Sequence, residues 1–474
     1  MEGAPANRCA NCERLQKQVD QLQQAVAALT EQVRSLQEKL AAAGKNSSTS
    51  SKPPSSDIVK PAKPAPPEGQ AKRSIGGQPG HPRHERALFP PGLLDGSFDH
   101  TPGCCPECGG KVVPLPGPPR VVQQVDIAAA PLVVHEHTGR AVWRPCCLKA
   151  QQPSFPAAVE AGGLLGPRLT TLVAYLKGVC HASYSTIRQF LRDVIGLPVS
   201  RGQLAKVVAK VSEALAGPYA ELLAELPGQA ALNVDETGHK DKGRSLWTWC
   251  FRAELYTLFK VDPRRSADVL VEVLGEEFDG VLGCDHFSAY RRFMRSFDVT
   301  VQFCLAHLIR EVKFLTTLPG FDDVFYGVRL LEALKDLFGV IHRREQLTAG
   351  EFTRQLHAAK AHVLEVGTRD EGTEHTGRMA KRLRKYGEAY FTFLTTPGVK
   401  PTNNTAEQAI RFVVIDRLVT QGTRGEVGQR WSERMWTTLA SCSQQGRSAF
   451  AFLHEAVRAY FAGEQAPSLL PQPG

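Results

Sequence analysis

In LNVDETG, residues 232–238, two carboxylates follow an apolar run that ends at Val234. Fifty residues after Asp235, GVLGCD brings Asp285 to the end of another apolar run. PTNNTAEQAIRFVVIDR then sets Glu407 inside a helical pattern that starts at a Thr/Asn cap. Carboxylates held a few ångströms apart repel, and raise each other's pKa, unless a divalent cation lies between them. Asp235, Asp285 and Glu407 together have the residue types of a two-metal site, with a carboxylate on a helix across from two on strands. Taken singly each has a plainer reading: Asp285 as a strand-end cap, Glu407 as the i+4 partner of Arg411. Glu236 points to the opposite face if its strand persists. FCLAHLIRE adds Cys304 and His307, three apart at a strand-to-helix junction, as auxiliary residues beside the site. His307 is suited to orient a phosphate or water there and Cys304 to a structural role. The pair also reads as half a structural zinc site.

These residues need a sheet to position them. After residue 228 the apolar pattern shortens to ALNVDET, LWTWCF, YTLFKV, GVLGCD and VTVQFC, which predicts five strands. Turn signals such as DKGR make the first three antiparallel, and amphipathic helices at about 266–275 and 287–295 separate the rest. That is the order of an RNase H-like sheet, with the fourth strand parallel to the first. Asp235 and Asp285 then fall at neighbouring carboxyl ends, where open α/β sheets place ligands.

The flanking segments add further modules. At 474 residues, a prior of roughly 150 per domain gives about three folded units with linkers. Leu15, Val19, Leu22, Val26, Leu29, Val33, Leu36 and Leu40 form a heptad seam, with valine at a and leucine at d. This predicts a two-stranded coiled coil in a homodimer, against the alternative of a lone amphipathic helix on the body. A basic Ser/Pro/Gly-rich stretch follows as a linker. CCPECGG gives Cys105 and Cys108 the spacing of a zinc knuckle, which Cys146 and Cys147 of WRPCCLK, or Cys104, His135 or His137, could close. A metal-free relic of that module fits equally, and Cys9 with Cys12 makes a weaker pair. Residues 164–226 read as helical, with a turn at Gly-Leu-Pro and a capping pattern at Ser200 and Gln203. Seven basic against two acidic side chains between 164 and 215 suit a helix-turn-helix on DNA, with Arg188, Arg192, Arg201 and Lys206 as contacts, or else a scaffold bundle. Ten basic against four acidic side chains in 378–430, including Arg382, Lys385 and Arg417, suit phosphates beside the carboxylates, or a solvated basic face. Without a secretory pattern or an apolar stretch of ~20 residues, the twelve cysteines are expected in a reducing compartment and no membrane is expected as partner.

With VDETG, CDHFSAY, CLAH and NNTAEQAIR, the N-terminal seam, the KNSSTSSKPPSSD linker and the cysteine pairs, the chain resembles the insertion-sequence-66 family of bacterial transposases almost end to end. The resemblance implies a multidomain α+β protein with an RNase H-like catalytic core and an acidic triad at Asp235, Asp285 and Glu407. It implies nicking of transposon ends and strand transfer into target DNA, with two Mg²⁺ or Mn²⁺ ions bridged by Asp235 and flanked by the other two. One structural Zn²⁺, small accessory proteins of the element and a place in the bacterial cytoplasm at the nucleoid are further expectations. The boundaries expected are a coiled coil at 1–44, a linker at 45–100, a cysteine module at 101–150 and a helical DNA-binding domain at 160–228. The core follows in two parts, 229–318 and 396–445, around a helical insertion at 319–395, with a C-terminal helix and tail at 446–474. A non-catalytic DNA-binding protein and a plain metal-dependent nuclease are the rival readings.

Overall fold

The computed structural model describes residues 10–50, 87–98, 100, 107–111, 121–125, 127–128, 131–146, 148–151 and 154–471. The chain divides into two compact units, Met1–Pro61 with His137–Gly474, and Ala62–Glu136. In the smaller unit Gln123 pairs with both backbone groups of Phe89, accepting its N–H at 2.6 Å and donating to its carbonyl at 3.0 Å. Cys105 and Cys147, and with them the expected zinc set, lie outside the described residues; Cys108 is exposed. No helix is long and apolar enough to cross a membrane among the described residues.

The larger unit is mixed α and β, with a helical N-terminus and a sheet core. It begins with α1 (Ala10–Ala43), a 34-residue helix whose Val/Leu seam is 45–74% exposed. A short hairpin of β1 (Val142–Arg144) and β2 (Lys149–Gln151) carries Cys146, exposed, in its turn. The helices expected over 164–226 are present. After α2 (Ala157–Gly162) come α3 (Pro167–Gly178), α4 (Tyr184–Phe190), α5 (Arg201–Ala214) and α6 (Ala216–Glu225). Ser200 caps α5 by accepting the Gln203 N–H at 3.1 Å. Ile187, Leu191, Leu204 and Val208 give this bundle a small core of its own, while Val211, Leu215 and Leu222 pack into the core under the sheet.

The sheet has five strands in the order β5-β4-β3-β6-β7: β3 (Ala231–Asp241), β4 (Arg244–Arg252), β5 (Thr257–Asp262), β6 (Val281–Cys284) and β7 (Val301–Phe303). β3, β4 and β5 are antiparallel; β6 runs parallel to β3, and β7 to β6. This is the strand order anticipated from the apolar runs. One expectation is corrected: Asp235 is not at a carboxyl end. β3 runs six residues further, because its hairpin turn is at Lys242–Gly243, both at positive φ (48° and 83°), the twist that suits a two-residue connection. Only the parallel pairing with β6 stops near Asp235, at Asn233 opposite Gly283.

Helices cover the sheet on both faces. α7 (Ala267–Leu274) and α8 (Ser288–Phe297) share the core of Leu232, Val234, Phe251 and Leu282. α13 (Asn404–Thr420) and α14 (Glu426–Gln444) close the other face over Cys250, Phe259 and Val261, and α15 (Ala449–Ala462) packs beside α3 and α5. α9 (Leu305–Leu315) leaves β7, and α10 (Phe321–His342), α11 (Ala349–Gly367) and α12 (Glu374–Tyr386) follow it.

The free edge of β5 is closed by side chains. Its outward N–H groups at Thr257, Phe259 and Val261 donate to Ser441 Oγ (3.2 Å), Thr437 Oγ1 (3.0 Å) and Glu433 Oε1 (2.7 Å) on α14. Two strand residues advance about 6.6 Å and four helix residues about 6.0 Å, so a polar residue in every fourth position can follow every second N–H. The edge is thus satisfied without another strand. Thr437→Val keeps shape but leaves the Phe259 N–H buried without an acceptor. Denaturant unfolding is expected to show a loss of about 1–3 kcal/mol, and an unchanged midpoint would show that the clamp carries no stability.

Candidate functional site

Alternation along β3 sorts its polar residues. Leu232, Val234 and Glu236 face α8, whereas Asn233, Asp235, Thr237 and His239 face α13 and α14. The register of β3 with β6 has a constant offset of fifty residues, from Ala231 opposite Val281 to Asn233 opposite Gly283. Continued by two residues, it sets Asp285 beside Asp235 as β6 leaves the sheet. Asp285 Oδ1 accepts the Phe287 N–H at 2.8 Å, and Asp235 Oδ1 that of Glu236 at 3.0 Å.

Glu407 reaches this place from the first turn of α13 because Asn403, 1% exposed, fastens that helix to the sheet. Asn403 Nδ2 donates to the Val234 carbonyl (2.8 Å), its Oδ1 accepts from Asn233 Nδ2 (3.0 Å), and its backbone N–H donates to Cys304 Sγ (3.1 Å). Gly283 makes room for the amide pair: a Cβ there would stand 2.5 Å from Asn233 Nδ2. Sequence reasoning read this Thr/Asn stretch as a helix cap. Asn403 does hold the cap position, but its side chain serves the strand instead.

Burial and neighbouring charge act together on the strand acids. Burial, then the charges of Glu236, Asp285 and Glu407, push the Asp235 carboxyl well above the usual range. Burial and Glu236 push Asp285 up to about 6, with Arg265 and Arg382 acting against the shift. Glu236 itself is spoken for on the other face, where Arg265 binds it (Nε to Oε1, 2.9 Å) and the Tyr290 hydroxyl donates to Oε2. Neither partner was singled out from the sequence. A buried Asp235 whose carboxyl is raised by burial and by the charges of Glu236, Asp285 and Glu407 suits a hard divalent cation beside it, whose charge would relieve the repulsion. Glu407 Oε1, buried and without a hydrogen bond, is an oxygen free to serve it.

Around Glu407 lie the auxiliary residues. His307 Nδ1 is 3.5 Å and Arg310 Nη2 3.6 Å from Glu407 Oε1. Burial, then Arg310 and Arg382, push His307 down to about 3, so its imidazole is neutral. Cys304, His307 and Glu407 each offer a ligand atom within 4.8 Å of the others. His286, after Asp285, sits among the rings of Phe303, Tyr386 and Tyr390, and burial pushes it down to about 2.

The basic residues divide. Arg188, Arg192, Arg201, Lys206, Lys385 and Arg411 are exposed, although Arg192 is paired with Asp193 at 2.6 Å. Arg417 is half-buried and donates to Thr237 Oγ1 at 3.2 Å. Arg382 departs from the expected basic face. Its side chain is 11% exposed and turns inward to Glu311 (2.5 Å) and the Tyr390 hydroxyl (2.6 Å), since α12 presents this position to the core between Met379 and Leu383.

A family model described as Transposase IS66 family matches residues 162–430, and a second, described as a family of unknown function (DUF6444), matches residues 2–87. No curated protein matches the chain.

The raised carboxyl of Asp285 has a signed consequence for stability. Its folded pKa, about 6, exceeds the ordinary 3.8, so the favourable contribution is complete below 3.8 and is lost as pH rises through about 6. In metal-free protein Asp285→Asn is expected to raise the melting temperature at pH 7 and to change it little at pH 4. Added Mg²⁺ is expected to stabilise the parent more than the variant at pH 7. Equal melting temperatures for parent and variant at pH 7 would show that the charge is not destabilising there.

Proposed function

The chain belongs to the IS66 family of transposases, and from that premise we propose that it nicks the ends of a DNA element and transfers the freed 3′-hydroxyls to target DNA at Asp235, Asp285 and Glu407. The observation that carries this reading is the convergence of the three side chains, which lie fifty and 122 residues apart in the chain: the register of β3 with β6 sets Asp285 beside Asp235, and Asn403 fastens the helix that bears Glu407 to the Val234 carbonyl. The strand order, with β6 parallel to β3, supports an RNase H-like core.

The three carboxylates would hold two Mg²⁺ or Mn²⁺ ions, which when bound supply a Lewis acid and lower the pKa of the attacking hydroxyl. The chain's own groups do the positioning. Asn403 sets the distance between the helix carboxylate and the strand carboxylates. Arg265 and Tyr290 hold Glu236 on the opposite face, and neutral His307, next to Glu407, can orient water or a phosphate oxygen without adding charge. Exposed Arg411 and Lys385 suit phosphates near the site, and Arg188, Arg201 and Lys206 suit DNA along the helical segment. The uncovered seam of α1 suits a second copy of the chain, which would bring two element ends to one assembly.

Two experiments test these statements. On labelled element-end DNA with Mg²⁺, alanine at Asp235, Asp285 or Glu407 is expected to lower nicking and joining by roughly 10³-fold, the scale of losing a group that stabilises transition-state charge. DNA binding measured in Ca²⁺ is expected to persist, and exposed Asp279→Ala to behave as the parent. If Glu407→Ala cuts like the parent, α13 does not complete the site; cutting without joining makes the protein a nuclease. Removal of residues 1–44 is expected to turn a DNA-free dimer into a monomer by light scattering, and an unchanged dimer rejects the coiled-coil interface.

A further inference from the structure

Cys304 follows β7 and stands at the N-cap position of α9, and His307, three residues on, lies on the same face of that helix. Glu407 meets them from α13, tied to Cys304 through the Asn403 N–H. Their ligand atoms lie within 4.8 Å of one another, and Cys304 is 1% and His307 9% exposed. His307 Nδ1 and Glu407 Oε1 are buried polar atoms that make no hydrogen bond, although the two are only 3.5 Å apart. Buried polar atoms in folded proteins are nearly all satisfied, so the pair calls for a further occupant.

The donor chemistry identifies it. A thiol sulfur, an imidazole nitrogen and a carboxylate oxygen form a ligand set for zinc-class ions, whereas Mg²⁺ prefers oxygen throughout. We infer that Cys304, His307 and Glu407 form a site for one borderline-soft divalent cation, which takes Glu407 away from the Asp235 and Asp285 carboxylates. The inference rests on the proposed catalytic role of Glu407 for its regulatory meaning: a zinc-class ion here would leave the transfer site one carboxylate short. Binding would release the thiol proton to solvent, and the new metal–sulfur bond takes up the freed electron pair. Arg310 is the competing cation. Its Nη2 lies 3.6 Å from the same carboxylate oxygen, and its partly exposed side chain has solvent to turn into when an ion arrives.

Co²⁺ is the probe, added to full-length protein stripped by a chelator, because thiolate coordination gives a charge-transfer band in the near ultraviolet. The parent is expected to bind one more equivalent of Co²⁺ than Cys304→Ser, with a matching loss of band intensity. Any cobalt on the Cys105/Cys108 module is common to both proteins and cancels in the difference. The hydroxyl that replaces the thiol in Cys304→Ser can still accept the Asn403 N–H, so folding is expected to persist, and Glu407→Gln and His307→Gln provide independent losses of the same equivalent. Asp285→Ala is expected to keep it. Equal cobalt stoichiometry and equal band intensity in the parent and all three ligand variants would overturn the site. The two readings fail separately. If Asp285→Ala still nicks DNA while the cobalt difference stands, the catalytic assignment falls and the cation site remains; if Asp285→Ala is inactive and the cobalt difference is absent, the reverse holds.

Discussion

The site depends on one buried amide. Asn403 joins β3 through the Val234 carbonyl and the Asn233 side chain, and joins the β7–α9 junction through Cys304. The candidate carboxylates and His307 stand within four positions of one of these contacts or, like Asp285, at the end of the strand beside them. Asp235 follows Val234 directly, His307 is three residues past Cys304, and Glu407 four past Asn403 itself. An amide suits the task because it donates and accepts through one rigid plane, and a carboxylate in its place could not donate to Val234. Truncation would strand two buried partners together, which costs more than the bonds contribute when made.

What the amide holds together is unfavourable. Asp235 is desolvated beside three other carboxylates, and Asp285 is raised by burial and by Glu236. The nearby cations are only partly turned to this use: Arg265 is committed to Glu236, and Arg382 to Glu311 and Tyr390. Such a cluster persists only where the surroundings fix the backbone independently. Here β3 is paired on both sides, by β4 along its length and by β6 at its start. The outer strand of that half-sheet is held in turn by the Ser441, Thr437 and Glu433 clamp. Stability gathered at the edge offsets repulsion at the centre.

The sequence made legible what depends on period and punctuation. Apolar runs, the DKGR turn and the intervening helices were enough to order five strands, and strand order with parity was enough to bring Asp235 and Asp285 together. Asp235 as a strand end was misread because the apolar run stops at Val234 while hydrogen bonding does not: Thr237 and His239 continue β3 with polar side chains satisfied by Arg417 and Thr423. Asn403 was hidden for a related reason, since Asn before a helix has the same appearance whether it caps that helix or reaches a strand 170 residues away. Arg382 was counted with a basic run because a run of charges is blind to helical phase. In α12 the positions of Met379, Leu383 and Tyr386 face inward, and Arg382 lies on their side.

The three carboxylates are not held equally. Asp235 is set by a strand paired on either side, and Asp285 by its place directly after a short strand and an Asx contact to Phe287. Glu407 is set by a helix alone. Besides Asn403, α13 is fixed by Asp416, whose carboxylate accepts from Trp436 Nε1 at 3.1 Å on α14 and meets His181 Nδ1 at 2.7 Å in the turn between α3 and α4. That turn belongs to the helical segment that carries the exposed Arg188 and Arg201, and the His181 ring also packs against Phe412, 5.0 Å between centroids, little more than one turn along the helix from Glu407. A shift of that turn therefore meets α13 directly, whereas α6 of the same segment meets the sheet, where the Tyr219 hydroxyl donates to the Phe259 carbonyl of β5 at 3.0 Å. Of the three acids, Glu407 is the one whose own helix the His181 turn contacts, while Asp235 and Asp285 are placed by the register of β3 with β6.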